Sequence, residues 1–189
     1  LSTHISRTVS TCFASLRQLR SIRRSVTLPV LRSLVASLVL TKLDFGSATL
    51  SGVPAQQLNR LQSVLNAAAR LVCSARKFDH ITPLLSDLHW LRVPERIAYR
   101  LSVLAYRCQH GQAPTYLVNE LQRVADIESR RRLRSVPTTN CVTIGDRAFP
   151  VAAARAWNSL PPSVTSAPSL PVFKKDLKTQ LFGRSFPAS

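Results

Sequence analysis

The chain has 189 residues, of which 45% are hydrophobic, so it can bury one or two small cores, and disorder along its whole length is not expected. Its 26 basic residues face nine acidic ones, for a formal net charge of +17, and all are arginine except Lys42, Lys77, Lys174, Lys175 and Lys178. Because the guanidinium group presents a planar fork of donors to phosphate, this bias favours a polyanionic partner. Drift of a GC-rich coding sequence towards arginine is a competing explanation, and the two do not exclude each other.

The cysteines and the apolar runs further limit the class of protein to which the chain can belong. Cys12, Cys73, Cys108 and Cys141 form no C-x-x-C pair, which favours buried thiols in a reducing compartment over a zinc site or a disulfide framework. The longest uncharged apolar run, residues 33–41, is too short to span a bilayer, and the first residues show no signal-peptide pattern. The chain starts with Leu1 and contains no Met, so we expect an intracellular piece of a longer polyprotein without a membrane partner.

Helical periodicity runs through the first 122 residues without any strand-like alternation, so the predicted fold class is all-α. The pattern predicts an irregular bundle whose central helix carries an apolar stripe from Leu58 to Val72. Capping residues, prolines and glycines set the expected bounds of each helix. In chain order, the expected helices start at Ser2 or Thr3; at Thr27, with a kink near Gly46 and an end between Leu50 and Gly52; at Pro54, ending near Ser74; at Pro83 after an N-cap at Thr82, ending near His89; at Pro94, closed by Gly111; and at Pro114, running through Leu121.

The residues on each predicted buried face recur at helical spacing. They are Ile5, Val9, Cys12, Leu16 and Leu19 in the first helix; Leu31, Leu34, Val35 and Leu38 in the second; Leu58, Leu61, Val64, Leu65, Ala68, Leu71 and Val72 in the central helix; and Ile97, Leu101, Leu104, Ala105 and Cys108 in the helix after Pro94.

The pattern changes after residue 122. The sequence predicts a helical bundle over 1–122, a basic flexible linker over 123–143 and a small C-terminal helical section over 144–189. In that section, Asp146 and Ser169 are expected to cap two helices. Their expected inward residues are Phe149, Ala152, Ala153 and Trp157, and then Leu170, Phe173, Leu177 and Leu181. A section this small must dock on the first part or on a partner to bury enough surface.

The sequence contains no recognisable catalytic set. The nine carboxylates are scattered, and Asp87 and Glu95 are best explained as helix-end charges or ion pairs. We find no Ser-His-Asp or Cys-His set, and the five glycines lie singly, which excludes a phosphate-cradling loop. His89, Trp90 and Tyr99 are expected in the core, with base stacking as the alternative. The sequence therefore predicts no catalytic residue, no metal ligand and no cofactor.

Positive charge is the remaining signal. Arginines recur on successive helices, and Arg92, Arg96, Arg100 and Arg107 share roughly one face of the helix after Pro94. Solvated helix faces and helix-dipole complementation are the structural alternatives to a ligand role. The candidate nucleic-acid-binding residues are Arg17, Arg20, Arg23, Arg24, Arg32, Arg60, Arg70, Arg76, Lys77, Arg130, Arg131 and Arg132.

Several motifs in series resemble a known family. They are LTKLDFGSATLSGVPAQQLNRLQSVLNAAARLV, DHITPLLSDLHWLRVPERI, GQAPTYL, IGDRAFPVAAARAWNSLPPSV and SLPVFKKDLKTQLF. Together they resemble the C-terminal region of reverse transcriptases from non-LTR (LINE-type, Jockey-like) retrotransposons. The resemblance runs from about Ser10 to Phe182.

The resemblance implies a role for each part. Residues 1–75 would be the helical thumb that grips the template–primer duplex, followed by a C-terminal extension. The catalytic Tyr-X-Asp-Asp site, with its Mg²⁺, would lie in a palm that this fragment lacks. The implied partners are RNA, an RNA–DNA hybrid or DNA, together with the missing palm of the same polyprotein. The implied location is the nucleus or a cytoplasmic ribonucleoprotein.

Two functions therefore stay open at the level of sequence. One is a non-catalytic, nucleic-acid-gripping fragment of an RNA-directed DNA polymerase. The other is a helical protein-interaction scaffold, or a relic without a nucleic-acid role, in which the charge is incidental.

Overall fold

The structure, a computed structural model, describes residues 2–121 and 148–187, and the described residues form helices without any strand. The predicted all-α class is therefore confirmed. The helices are α1 (Ser2–Ile22), α2 (Leu28–Val35), α3 (Thr41–Asp44), α4 (Ala55–Cys73), α5 (Ile81–Asp87), α6 (Val93–Gln109), α7 (Thr115–Glu120), α8 (Phe149–Asn158), α9 (Pro162–Thr165) and α10 (Leu170–Ser185).

Two compact units divide the chain. The first consists of Leu1–Ser47, Val53–Arg96 and Phe182–Ser189, and the second of Ala48–Gly52 and Ile97–Leu181. The predicted linker 123–143 and the expected cap Asp146 lie outside the described residues. The three-part division expected from the sequence therefore stays a prediction.

In the first unit, α4 packs against α1, α2 and α5. The predicted stripe of α4 is buried from Leu61 to Val72, whereas Leu58 is only half-buried. Ala68 and Ala69 are completely buried, and their small side chains let neighbouring helices approach closely. In α1, the predicted residues Ile5, Cys12, Leu16 and Leu19 are buried.

The second helix differs from its prediction because it contains a π-helical turn. Residues Ala36–Leu40 form this turn between α2 and α3. A π turn holds one residue more than an α turn, so the buried face moves by one position. Val39 is therefore buried, while the predicted core residue Leu38 is 40% exposed. Cys12 Sγ donates a hydrogen bond to the carbonyl of Val39 at 3.9 Å, which ties the π turn to α1.

The end of that helix also differs from expectation. The helix stops at Asp44, because Phe45 takes extended backbone angles (φ −65°, ψ 121°). A 3-10 turn, Ser47–Leu50, then follows instead of a continuous kinked helix. Likewise, α5 begins at Ile81 after His80, so the expected N-cap Thr82 and first helical residue Pro83 were two residues late, as was the expected end near His89.

The second unit is organised around aromatic side chains. Tyr106 of α6 stacks on Phe173 of α10 with ring centroids 4.5 Å apart, and Phe173 stacks on Trp157 of α8 at 5.7 Å. The Tyr106 hydroxyl donates a hydrogen bond to the Ala167 carbonyl at 3.1 Å. These contacts confirm that the C-terminal helices dock on the earlier part of the chain. Periodicity did not single out Tyr106, although it is almost completely buried.

Candidate nucleic-acid interface

Four of the predicted binding residues lie at the C-terminal end of α1. Arg17 and Arg20 are exposed and, three residues apart, lie on the same side of the helix. Arg23 and Arg24 follow in a 3-10 turn, Arg23–Ser25, where Arg24 is exposed and Arg23 half-buried. Their charges complement the negative end of the helix dipole and still face solvent.

The last turns of α4 lie beside two of these arginines. Arg17 and Arg20 line a depression of about 160 Å³, whose other lining residues are Phe13, Leu16, Ala67 and Leu71. At the opposite end of helices α1 and α4, the Arg60 guanidinium of α4 donates a hydrogen bond to Ser6 Oγ of α1 at 3.0 Å. The N-terminal parts thus meet each other, as do the C-terminal parts, so α1 and α4 run in the same direction.

Arg32 lies on α2, which packs against α4, and its charge acts on Cys73, the last residue of α4. Burial raises the pKa of the Cys73 thiol, the positive charge of Arg32 partly lowers it, and the carboxylate of Asp87 raises it further. Arg32 is exposed to solvent, and α2 packs against α4. Its charge therefore adds to those at the C-terminal end of α4.

The segment after α4 carries the next cations. Arg70 Nη2 donates a hydrogen bond to the Asp79 carbonyl at 3.3 Å, which folds the segment back on the helix. The backbone N–H of Arg76 donates to Asp79 Oδ2 at 2.6 Å. Arg76 and Lys77 are exposed, whereas Arg70 is half-buried. The Asp79 carboxylate thus caps a backbone N–H and leaves the Arg76 guanidinium in solvent.

We call this set of cations the basic end. It gathers, at the C-terminal ends of α1 and α4, the residues Arg17, Arg20, Arg23, Arg24, Arg32, Arg70, Arg76 and Lys77. Asp79 and Asp87 are the carboxylates that these contacts place beside it. The local charge is strongly positive, as a site for phosphate groups requires.

The remaining predicted residues lie elsewhere. The Arg60 guanidinium donates to Ser6 and to Gln57 Oε1, and it is ten residues, about 15 Å of helix, from Arg70. Arg130, Arg131 and Arg132 lie outside the described residues.

Arg92, just before α6, and Arg96, within it, take structural partners rather than forming a free basic face. Arg96 makes a bidentate ion pair with Asp44, with Nε–Oδ1 and Nη2–Oδ2 distances of 2.9 and 2.8 Å. Arg92, just before the helix, donates to Thr82 Oγ1 at 3.3 Å and lies 5.5 Å from the ring centroid of Phe186. Both sets of contacts are within the first unit, where they hold the start of α6 and the end of α10 in place. The sequence pattern indicated the spacing of these arginines but not their partners.

The aromatic residues expected in the core fall in different environments. His89 is exposed, with φ +53° and its ring 5.6 Å from that of Phe182, so its core placement was wrong. Trp90 and Tyr99 are half-buried. Phe78 is an exposed aromatic residue beside the basic end that the sequence pattern did not single out. Its signal was the run Arg76-Lys77-Phe78, an aromatic residue directly after two cations in a polar stretch.

The described ranges 2–121 and 148–187 were compared with the requirements of a metal site, a membrane-spanning helix and a reactive thiol. No group of three or more His, Cys, Asp or Glu side chains there could hold a metal ion. No helix within these ranges has the length and hydropathy needed to cross a membrane. Burial raises the pKa of the Cys12 and Cys108 thiols, so both stay protonated and poorly nucleophilic at neutral pH.

Comparison with known proteins returned no match to a family model, a curated protein or a solved structure.

Proposed function

We propose that the chain grips nucleic acid through the basic end, as the non-catalytic thumb and downstream region of a LINE-type, RNA-directed DNA polymerase. The proposed ligand is an RNA–DNA hybrid, or RNA or DNA alone, and the missing palm of the same polyprotein would supply Mg²⁺ and catalysis. The polymerase assignment rests on the sequence motifs, and the binding assignment rests on the charge.

The observation that carries the binding proposal is the convergence of cations from separate segments. Arg17 and Arg20 come from α1, Arg32 from α2, and Arg76 and Lys77 from the segment after α4. Helix-dipole complementation accounts for one or two cations in the last turn of a helix but not for this gathering. Because these side chains reach phosphates rather than base edges, we expect binding with little sequence preference.

Binding of the full chain to RNA–DNA hybrids of two unrelated sequences, measured across a salt series, tests this proposal. Each phosphate neutralised contributes about 0.9 to the slope of log affinity against log salt in a duplex. We expect a slope of about −4, because several of the exposed cations engage phosphates at once, and similar affinities for both sequences. A flat or absent response from a sample with a helical circular dichroism spectrum would contradict the proposal.

A protein-interaction scaffold is the second candidate, and an exposed apolar row supports it. Val30 and Leu38 are exposed and Leu34 is half-buried, although these residues recur at spacing four on one side of α2 and the π turn. A partner that binds this row would have an affinity nearly independent of salt. The variant Leu38→Ala would weaken such a partner and leave binding to the hybrid unchanged.

A further inference from the structure

Phe78 is the most exposed large hydrophobic residue in the described part of the chain, with 90% of its surface accessible. A phenylalanine left in water forgoes about 2 kcal/mol of burial free energy, which a ligand that covers the ring would recover. It lies in the segment 74–80, which links α4 to α5.

Several hydrogen bonds stabilise the turn that carries Phe78. Ser74 takes left-handed backbone angles (φ 61°, ψ 22°), and the Ala75 N–H donates to the Arg70 carbonyl at 3.0 Å. The Asp79 N–H donates to the Arg76 carbonyl at 3.3 Å, besides the two contacts of Asp79 with Arg70 and Arg76 described above. A ring presented on such a braced turn loses little conformational freedom when a ligand covers it.

One cation lies near this ring in space, and another precedes it in the chain. Lys77 Nζ lies 5.9 Å from the Phe78 ring centroid, and Arg76 precedes it in the same turn. Asp79, the next residue, contacts Arg70, which adjoins Leu71 in the depression that Arg17 and Arg20 line. The exposed ring therefore lies beside the basic end and is not one of its cations.

We propose that Phe78 stacks on an unpaired base, where a single strand continues from a duplex held by the basic end. This inference rests on the proposed function and adds to it a preference for nucleic acid with a single-stranded extension. The face of an aromatic ring stacks on any base, and nearby cations neutralise the flanking phosphates. Sequence readout is not required.

The surroundings of Phe78 favour a base over a membrane or a protein partner. An interfacial membrane segment buries a broad apolar face, but residues 74–80 offer only Ala75 and Phe78 as apolar side chains. Hot-spot residues of protein interfaces lie in well-packed, water-excluding surroundings, whereas charged residues flank Phe78 on both sides. A base needs only one exposed face.

The test compares two hybrids of identical duplex sequence, one blunt and one with a single-stranded extension of about six nucleotides. The full chain, Phe78→Ala and the control Phe45→Ala are titrated with each. Phe45 is a matched control because it is also highly exposed, at 75%, but it follows Asp44 rather than two cations. A 2-aminopurine in the extension reports stacking through quenching of its fluorescence.

The wild type should bind the extended hybrid about tenfold more tightly than the blunt one. Phe78→Ala should lose most of this tenfold preference for the extended hybrid and restore the 2-aminopurine fluorescence, while its affinity for the blunt hybrid stays within about twofold of wild type. Phe78→Trp should keep the preference, because a larger aromatic ring also stacks on a base. Phe45→Ala should behave as wild type.

Equal behaviour of Phe78→Ala and Phe45→Ala on the extended hybrid, with blunt binding intact, would overturn the inference and leave the proposed function standing. The inference would also be overturned if Phe78→Ala still preferred the extended hybrid but no longer bound vesicles of phosphatidylcholine and phosphatidylserine. That result would favour a membrane contact. Absence of salt-dependent binding of the wild type to the blunt hybrid would overturn both proposals.

Discussion

The two units use their distinctive side chains in opposite ways. The first unit leaves arginines and the Phe78 ring in solvent at the ends of two helices, whereas the second buries Tyr106, Trp157 and Phe173 against one another. Aromatic stacking inside a unit stabilises that unit, and exposed charge at a helix end contributes little to its stability. The proposed binding site therefore lies in the first unit, and the aromatic cluster of the second unit is structural.

Removing the centre of the aromatic cluster should have the largest effect. Phe173 is completely buried, so Phe173→Ala should lower the free energy of unfolding of the second unit by about 3–5 kcal/mol through lost burial and a residual cavity. Urea unfolding followed by Trp157 emission measures this, in a Trp90→Phe background because the chain has two tryptophans.

Val172→Ala is the matched control for this change, because it removes apolar volume from an exposed position next to Phe173 on α10. It should change the unfolding free energy by no more than about 0.5 kcal/mol. If Phe173→Ala strongly weakened hybrid binding at temperatures where the variant is still folded, the assignment of binding to the first unit would be wrong.

Arg96 and Arg24 should differ in what their replacement changes, although the sequence alone does not distinguish them, and the effects should be smaller than that of Phe173→Ala. Arg96→Gln breaks the bidentate pair with Asp44 and should cost about 2 kcal/mol of stability, because a partly buried carboxylate loses charge-assisted hydrogen bonds. The salt slope of hybrid binding should stay unchanged. Chemical denaturation and the salt series measure the two quantities.

Arg24→Gln is expected to do the reverse, with stability within about 0.5 kcal/mol of wild type and a shallower salt slope. Arg24 is exposed in the 3-10 turn after α1. Equal effects of the two variants on the slope would mean that binding follows total charge rather than the basic end.

The sequence predicted the all-α class and most buried faces because both depend on local periodicity. Leu16, Leu65 and Leu177 are buried as predicted, since each lies in a helix that keeps a regular turn. The failure at Leu38 has a definite physical cause: the π turn Ala36–Leu40 inserts one residue, and no local signal distinguishes it from an α turn.

The candidate site was only partly visible in the sequence. Helix-end arginines such as Arg20 and Arg24 stand out by spacing, but the parallel course of α1 and α4, which brings Arg17 beside Leu71, depends on tertiary packing. Long-range partners were equally hidden, because the Arg96–Asp44 pair joins residues 52 positions apart. Phe78 carried a local signal, but its exposure and its braced turn could be seen only in three dimensions.

The most direct test of the account compares two variants with the same loss of charge. Arg17→Gln/Arg20→Gln/Arg24→Gln removes three exposed cations of the basic end, and Lys175→Gln/Lys178→Gln/Arg184→Gln removes three exposed cations of α10. The account predicts that the first variant lowers the magnitude of the salt slope on the RNA–DNA hybrid by about 2–3, with the second close to wild type. Equal slopes for the two variants would contradict it, because net charge rather than the basic end would then control binding.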